Sequence, residues 1–148
     1  MLADYAAEFD IAIAVENNVL APYNLIGDQN ELLLGVTARD LVRCVEKTRR
    51  SNVFILLDLG HLKVSAMTLE LNADEEIEGV APFVRAVHLS ENNGYDDLHG
   101  KIGADSWFWK PLKEFMNDDT VYILEAHRLK RNEIIAQVET IGMCLGNE

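Results

Sequence analysis

The rest of the sequence is organised around VRAVHLSENNGYDDLHGKIG, residues 84 to 103. This stretch begins with an apolar run, Val84 to Leu89, that alternates like a β-strand and carries an imidazole, His88, near its end. A polar loop rich in Asn, Gly and Asp follows this run. Three other short apolar runs also end on side chains typical of metal ligands or of acid–base catalysis: residues 11–16 at Glu16, 53–58 at Asp58 and 121–125 at Glu125. The sequence therefore predicts four strands, each delivering one such side chain.

Helical patterns separate the predicted strands. They cover residues 2–9, residues 37–50, two pieces within 62–83, a helix that begins at Asp105 or Ser106, and residues 131–145. Strands that alternate with helices are typical of a parallel sheet with right-handed crossovers. The predicted fold class is α/β, as a small open sheet or one half of a (βα)8 barrel, in a single domain over residues 1–148. No glycine-rich phosphate loop follows the first strand, so a nucleotide-binding domain has little support.

Two of the predicted helices are amphipathic. The helix that begins after the N-cap Thr37 is expected to turn four residues inward: Leu41, Val42, Cys44 and Val45. The last helix carries an apolar face made of Ile134, Ile135, Val138, Ile141 and Leu145. Both faces are expected to be buried in the core.

Composition and charge limit the partners of the chain. Its 148 residues include 13 Lys+Arg and 25 Asp+Glu, which gives a formal net charge of -12. A nucleic-acid partner usually requires a basic face, so this balance speaks against one. Two cysteines without a CxxC spacing are typical of a reduced, cytoplasmic protein. Neither a signal-peptide pattern nor an apolar segment of about 18 residues is present, so no membrane association is expected.

The four strand ends are expected to converge on one site. Neighbouring strands lie about 4.8 Å apart, and barrel curvature would turn their inward side chains towards one point. One divalent cation would then be bound by Glu16, Asp58, His88 and Glu125. Three carboxylates and an imidazole suit Mn²⁺, Mg²⁺ or Co²⁺ better than a thiolate-type structural zinc site, although zinc is also compatible. A single strand-end carboxylate is more often a helix cap or an ion-pair partner. The prediction therefore rests on the fact that all four strands end on a ligand-type residue.

Further ligand-type residues lie close to these strand ends in sequence. His61 follows Asp58 by three residues, and Asp97 and His99 lie together in the loop after His88. They are predicted to bind the substrate or a second metal.

Four segments resemble the xylose-isomerase-like TIM barrels, which comprise sugar-phosphate isomerases and epimerases together with endonuclease-IV-type apurinic endonucleases. The segments are VENN at 15–18, LLDLGH at 56–61, VHLSENNGYDDLHGKIG at 87–103 and ILEAH at 123–127. The resemblance implies the C-terminal half of a TIM barrel, with the four strand-end residues as ligands of one divalent metal. It also implies that Glu16 and Glu125 are the catalytic acid–base pair and that His61 contacts a sugar or sugar-phosphate substrate.

The resemblance leaves three functions open. The leading one is a metal-dependent sugar or sugar-phosphate isomerase or epimerase, although Gly94 stands where ketose 3-epimerases have a substrate-binding Arg. The second is a relative of the zinc-dependent apurinic endonucleases, in which an Asp-x-His such as Asp97-Leu98-His99 binds zinc. The third is a catalytically degenerate half-barrel that acts as a binding or assembly module. A half-barrel leaves sheet edges open, so we expect a homo-oligomer or a separate N-terminal half-barrel partner.

Overall fold

Four parallel strands form the framework of the structure. The computed structural model describes residues 2–146. The strands are β1 (Ile13–Glu16), β2 (Val53–Asp58), β3 (Val84–Leu89) and β4 (Val121–Leu124). They form one sheet in the order β1-β2-β3-β4, and each neighbouring pair is parallel. The predicted α/β fold with four parallel βα units is confirmed.

A helix lies in every crossover between strands. The helices are α1 (Leu2–Ala7), α2 (Ala38–Thr48), α3 (Leu59–Leu69), α4 (Ala73–Val80), α5 (Trp109–Phe115) and α6 (Arg131–Leu145), with 3-10 turns at Pro22–Asn24 and Ala81–Phe83. Helix α5 begins later than predicted, because the Gly103 amide donates to Ser106 Oγ over 3.0 Å and closes a turn ahead of it. Among the described residues, no helix is long and apolar enough to cross a membrane.

Helix α2 begins as predicted after its N-cap. The Thr37 side chain accepts a hydrogen bond from the Asp40 amide, and Leu41 and Val45 are buried. The inward position predicted for Cys44 is wrong, because this side chain is exposed. Cys44 lies on the flank of α2 that lines an open cavity of about 370 Å³ beside β1, where the described residues leave it uncovered.

The hydrophobic core lies between the sheet and the helices. Its strand side chains come from the helix-facing positions of β2 and β3: Val53, Ile55, Leu57, Val84, Val87 and Leu89. The helices and the loop before α5 contribute Leu41, Val45, Leu62, Ile77, Phe108 and Leu112. The two central strands are thus fixed from one side, and their other face is left for the site.

A β-bulge reverses the facing of side chains along β3. Val84 pairs with Ile55, but Ala86 pairs with the next residue of β2, so Arg85 is an extra residue in the ladder. A bulge of this kind re-aims the side chains that follow it. Val84 is therefore buried against the helices, whereas His88 faces the opposite side of the sheet, beside the last residue of β2.

The sheet face opposite the helices is open. Val121 and Ile123 of β4 share the facing of Glu125 and are 58% and 40% exposed. Among the described residues, β1 and β4 each have a sheet neighbour on one side only. The described residues thus leave one apolar face of the sheet open and two sheet edges unpaired.

The predicted burial of the apolar face of α6 is partly wrong, because a polar residue faces the sheet in its place. Three residues of that face are about half exposed: Ile134, Ile135 and Val138. Only its last turns, with Ile141 and Leu145, lie against the core. Gln137 is buried instead: it donates to the Ile102 carbonyl over 2.8 Å and accepts from the Ile102 amide over 2.7 Å. These two hydrogen bonds fix which side of α6 faces the sheet.

Candidate metal centre

The carboxyl edge of the sheet carries the four predicted ligands. Glu16 is the last residue of β1, and Asp58 is the last residue of β2. Asp58 also caps α3, because its Oδ1 accepts a hydrogen bond from the His61 amide over 2.8 Å. The Glu125 amide donates to the Leu89 carbonyl over 3.0 Å and so continues the β3–β4 ladder by one residue. His88 lies in β3 and pairs with Asp58 of β2 and Ile123 of β4, so all four ligand positions are fixed by backbone hydrogen bonds or strand pairing.

The side chains of these residues meet around the His88 ring. Its Nδ1 lies 3.0 Å from Glu16 Oε1, 3.1 Å from Glu125 Oε2 and 3.5 Å from Asp58 Oδ2. One candidate ligand atom from each of the four residues lies within 4.8 Å of the others. The structure therefore brings together the whole predicted set.

Three atoms of this group are buried without a hydrogen bond among the described residues. Asp58 is 0% exposed. Its Oδ2, the His88 Nδ1 and the Glu125 Oε2 are buried and have no hydrogen-bond partner among the described residues. Buried polar atoms without partners are costly, and charged ones more so. A divalent cation between them would satisfy all three, so the donor set fits an oxygen-rich metal site.

The carboxylates of Asp58 and Glu125 lie close enough to shift each other's pKa. Burial and the adjacent Glu125 carboxylate raise the pKa of Asp58 to about 7. Burial opposes ionisation of Glu125, but contact with Asp58 and with the imidazoles of His88 and His99 lowers its pKa below the usual value. Without a cation, the carboxylates therefore retain a proton at a pH where an exposed Asp is ionised.

A second ligand group lies next to the first. Asp97 Oδ2 is 3.2 Å from His61 Nε2 and 2.9 Å from His99 Nε2. The other nitrogen of His99, Nδ1, is 3.6 Å from Glu125 Oε2, so the two groups adjoin each other. Burial opposes the charged form of His61, but Asp58, the Asn17 carbonyl and Asp97 together raise its pKa. The structure thus also brings together His61, Asp97 and His99.

The loop after β3 is held in place independently of any metal. Lys63 Nζ donates to Glu91 Oε2 over 2.7 Å and to the Asn92 carbonyl over 2.8 Å. The Asn92 side chain donates to the Gly60 carbonyl over 2.8 Å. Gly94 has φ +81°, and a Cβ there would lie 1.9 Å from Met67 Sδ, so a side chain at this position would strain the backbone and displace Met67. The loop can therefore present its Asp and His in one conformation.

The sequence predicted no role for Asn17 or His127. Asn17 is buried and bonds to the Asp58 backbone through its side-chain amide. The His127 ring stacks on the His99 ring with centroids 4.1 Å apart. The available signal for Asn17 was its place directly after a strand-end Glu, where an amide can continue the strand ladder by side chain.

The comparison with solved structures identifies the fold. The structure matches the crystal structure of a D-tagatose 3-epimerase-like protein with a TM-score of 0.74 and 26% sequence identity. The match covers 97% of this chain and 50% of that chain. The chain has the half-barrel fold of the xylose-isomerase-like superfamily. The predicted resemblance of the half-barrel to this superfamily is confirmed.

A curated relative is likewise matched over only part of its length. An uncharacterized protein of Methanocaldococcus jannaschii is 30% identical over 102 residues, which are 69% of this chain and 31% of that protein. No protein-family model matches the chain. The half-barrel thus spans about half of the solved structure and about a third of the curated relative.

Proposed function

We propose that the half-barrel belongs to a divalent-metal-dependent isomerase or epimerase of sugars or sugar phosphates. The observation that carries this proposal is the convergence of three carboxylates on His88 Nδ1, with buried oxygen and nitrogen atoms that have no hydrogen bond among the described residues. The fold of a D-tagatose 3-epimerase-like protein supports the reaction class.

Glu16, Asp58, His88 and Glu125 would hold one divalent cation. Their oxygen-rich set suits Mn²⁺, Mg²⁺ or Co²⁺, and Zn²⁺ is compatible. When bound, such a cation polarises neighbouring carbonyl and hydroxyl oxygens of a substrate. Asp58 is fully buried and capped into α3, so its role is to hold the centre. The more exposed Glu16 and Glu125 are left to face the substrate.

Glu16 and Glu125 would act as the acid–base pair. One carboxylate takes the proton from the carbon next to the substrate carbonyl, and the other returns a proton to the neighbouring carbon or to the opposite face. Their carboxylate oxygens lie 3.0 and 3.1 Å from the same atom, His88 Nδ1, and both side chains are partly exposed. One substrate at the metal centre could therefore contact both carboxylates.

His61, Asp97 and His99 would bind the substrate or a second metal. Asp97 Oδ1 and His99 Nδ1 are buried and have no hydrogen-bond partner among residues 2–146, as in the first group. This His-Asp-His arrangement is the observation that favours the second candidate function, a zinc-dependent apurinic endonuclease relative. The net charge of -12 weighs against that candidate, because phosphate backbones require cationic partners.

Completion of the barrel is part of the proposal. The exposed apolar residues of β4 and the two unpaired sheet edges require cover for a stable, closed site. The other half of the matched D-tagatose 3-epimerase-like chain lies outside the match, which is consistent with a partner half-barrel. We propose that residues 1–148 form one partial-barrel domain of a cytoplasmic protein, completed by a second copy or by an N-terminal half-barrel. A degenerate half-barrel that only binds or assembles is the third candidate.

The test combines mass, metal and turnover. Light scattering and elemental analysis of the purified chain are followed by isomerase assays on aldoses, ketoses and their phosphates with Mn²⁺, Mg²⁺, Co²⁺ or Zn²⁺. Glu125→Gln should abolish isomerisation and keep the fold, whereas Glu78→Gln, on the exposed side of α4, should not change the rate. Full activity of Glu125→Gln would remove this residue from the mechanism. Cleavage of abasic DNA would favour the endonuclease relative. Bound metal without turnover of any sugar would favour the degenerate half-barrel.

A further inference from the structure

Asn17 connects the ends of β1 and β2 through its side chain. It is 3% exposed and directly follows Glu16. Its Nδ2 donates to the Asp58 carbonyl over 2.9 Å, and the Asp58 amide donates to its Oδ1 over 2.6 Å. The side-chain amide thus takes the place of a backbone peptide and extends the ladder past the last residue of β1. These two bonds fix the backbone of Asp58.

The backbone carbonyl of the same residue orients an imidazole. His61 Nδ1 lies 2.8 Å from the Asn17 oxygen. A carbonyl can only accept a hydrogen bond, so Nδ1 must carry the proton. The neutral ring then has its lone pair on Nε2, which lies 3.2 Å from Asp97 Oδ2. A histidine that binds a metal through one ring nitrogen usually donates the N–H of the other to a carbonyl or carboxylate in this way.

We propose that Asn17 is a positioning residue that orients one ligand in each of the two groups. It holds Asp58 for the first group by its side chain, and it holds the His61 tautomer for the second group by its carbonyl. This inference rests on the proposed function, because it concerns how the same residues are prepared for a metal. The side-chain bonds keep the Asn17 carbonyl in place, so a change of the side chain acts on the His61 ring without removing the acceptor.

The residue type follows from the two side-chain bonds. An Asp at this position would keep an acceptor for the Asp58 amide but would set a second oxygen against the Asp58 carbonyl. An Ala would supply neither bond and would leave the Asp58 amide and carbonyl without these partners. Asn18 offers a matched control: it is exposed, and its Oδ1 bonds to the amide of its own neighbour, Val19.

The experiment compares Asn17→Ala, Asn17→Asp and Asn18→Ala with the unchanged chain. The His61 tautomer is assigned by nitrogen NMR of the imidazoles in chelator, at a pH where the ring is neutral. The unchanged chain and Asn18→Ala should show one tautomer, with the proton on Nδ1. Both Asn17 variants should show a mixture. Titration with Mn²⁺ or Zn²⁺ alone should show an affinity lower by about 10- to 100-fold in the Asn17 variants, as for other residues that orient metal ligands.

The possible outcomes separate this inference from the proposed function. If the unchanged chain binds neither Mn²⁺ nor Zn²⁺, the proposed function fails, and the tautomer spectra still decide the role of Asn17. A single Nδ1–H tautomer and unchanged metal affinity in both Asn17 variants would overturn the inference. Loss of folding in both variants, with Asn18→Ala folded, would assign Asn17 to stability alone and would also overturn it.

Discussion

Replacing Asp58 with Asn should stabilise the metal-free chain at neutral pH. The side chain is fully buried, and its pKa is raised from 3.8 to about 7. The folded chain therefore holds this proton more tightly than the unfolded chain does. Its free energy of unfolding falls as the pH rises from about 4 to about 7, because the buried group must then ionise. Asn does not titrate, and its Oδ1 can still accept from the His61 amide as Asp58 does.

The size of the effect follows from the pKa. The full rise from 3.8 to about 7 corresponds to about 4 kcal/mol. Part of the rise belongs to the contact with Glu125, so we expect the variant to gain about 2 to 3 kcal/mol relative to the unchanged chain between about pH 5 and about pH 8. Added Mn²⁺ should reverse the order, since it stabilises only a chain that binds it.

Urea denaturation in chelator at both pH values measures this difference. Asp96→Asn is the control, because Asp96 is exposed in the loop after β3. A destabilisation of Asp58→Asn by the same amount at both pH values would refute the reasoning. It would mean that the folded chain keeps Asp58 ionised through contacts other than those described.

Two further predictions concern the metal and the loop. A divalent cation at 100 times its dissociation constant should raise the free energy of unfolding by about 2.7 kcal/mol, read as a shift of the urea midpoint, and no shift with any of the four cations would contradict the proposed centre. Gly94→Ala should destabilise the chain by about 1 to 3 kcal/mol more than Gly27→Ala, because only the first Cβ meets Met67 although both glycines have positive φ. Urea midpoints of the two variants measure this difference, and equal values would show that Met67 moves aside freely.

The bounds of the two central strands could be predicted from the sequence because each strand is one continuous apolar run that is buried in the core. The bounds of β2 and β3 match the predicted residues 53–58 and 84–89, whereas β1 begins two residues later than expected. Strand β1 lies at an edge of the sheet, so its first predicted residues, including the exposed Ile11, gain little from extended pairing. Strand-end side chains could be placed together because parallel strands present their carboxyl ends on one edge.

Periodicity could not show which apolar residues would find cover. Val138 and Cys44 fit helical patterns, but nothing in their spacing reveals that the described residues leave both side chains exposed. Gln137 reads as a solvent-facing residue, and only the fold shows that the Ile102 backbone lies opposite it. Asn17 was missed for the same reason, since its partner is a peptide group far away in sequence.

The bulge at Arg85 sets the facing of His88. Val84 and His88 are four residues apart, so an unbroken alternation over all the residues between them would turn both side chains towards the helices. Deletion of Arg85 would restore an unbroken alternation and keep the imidazole on the side of the carboxylates, because Val84 and Ala86 already pair with consecutive residues of β2. A comparison of relatives should therefore align this strand from the histidine backwards and place any one-residue gap at Arg85.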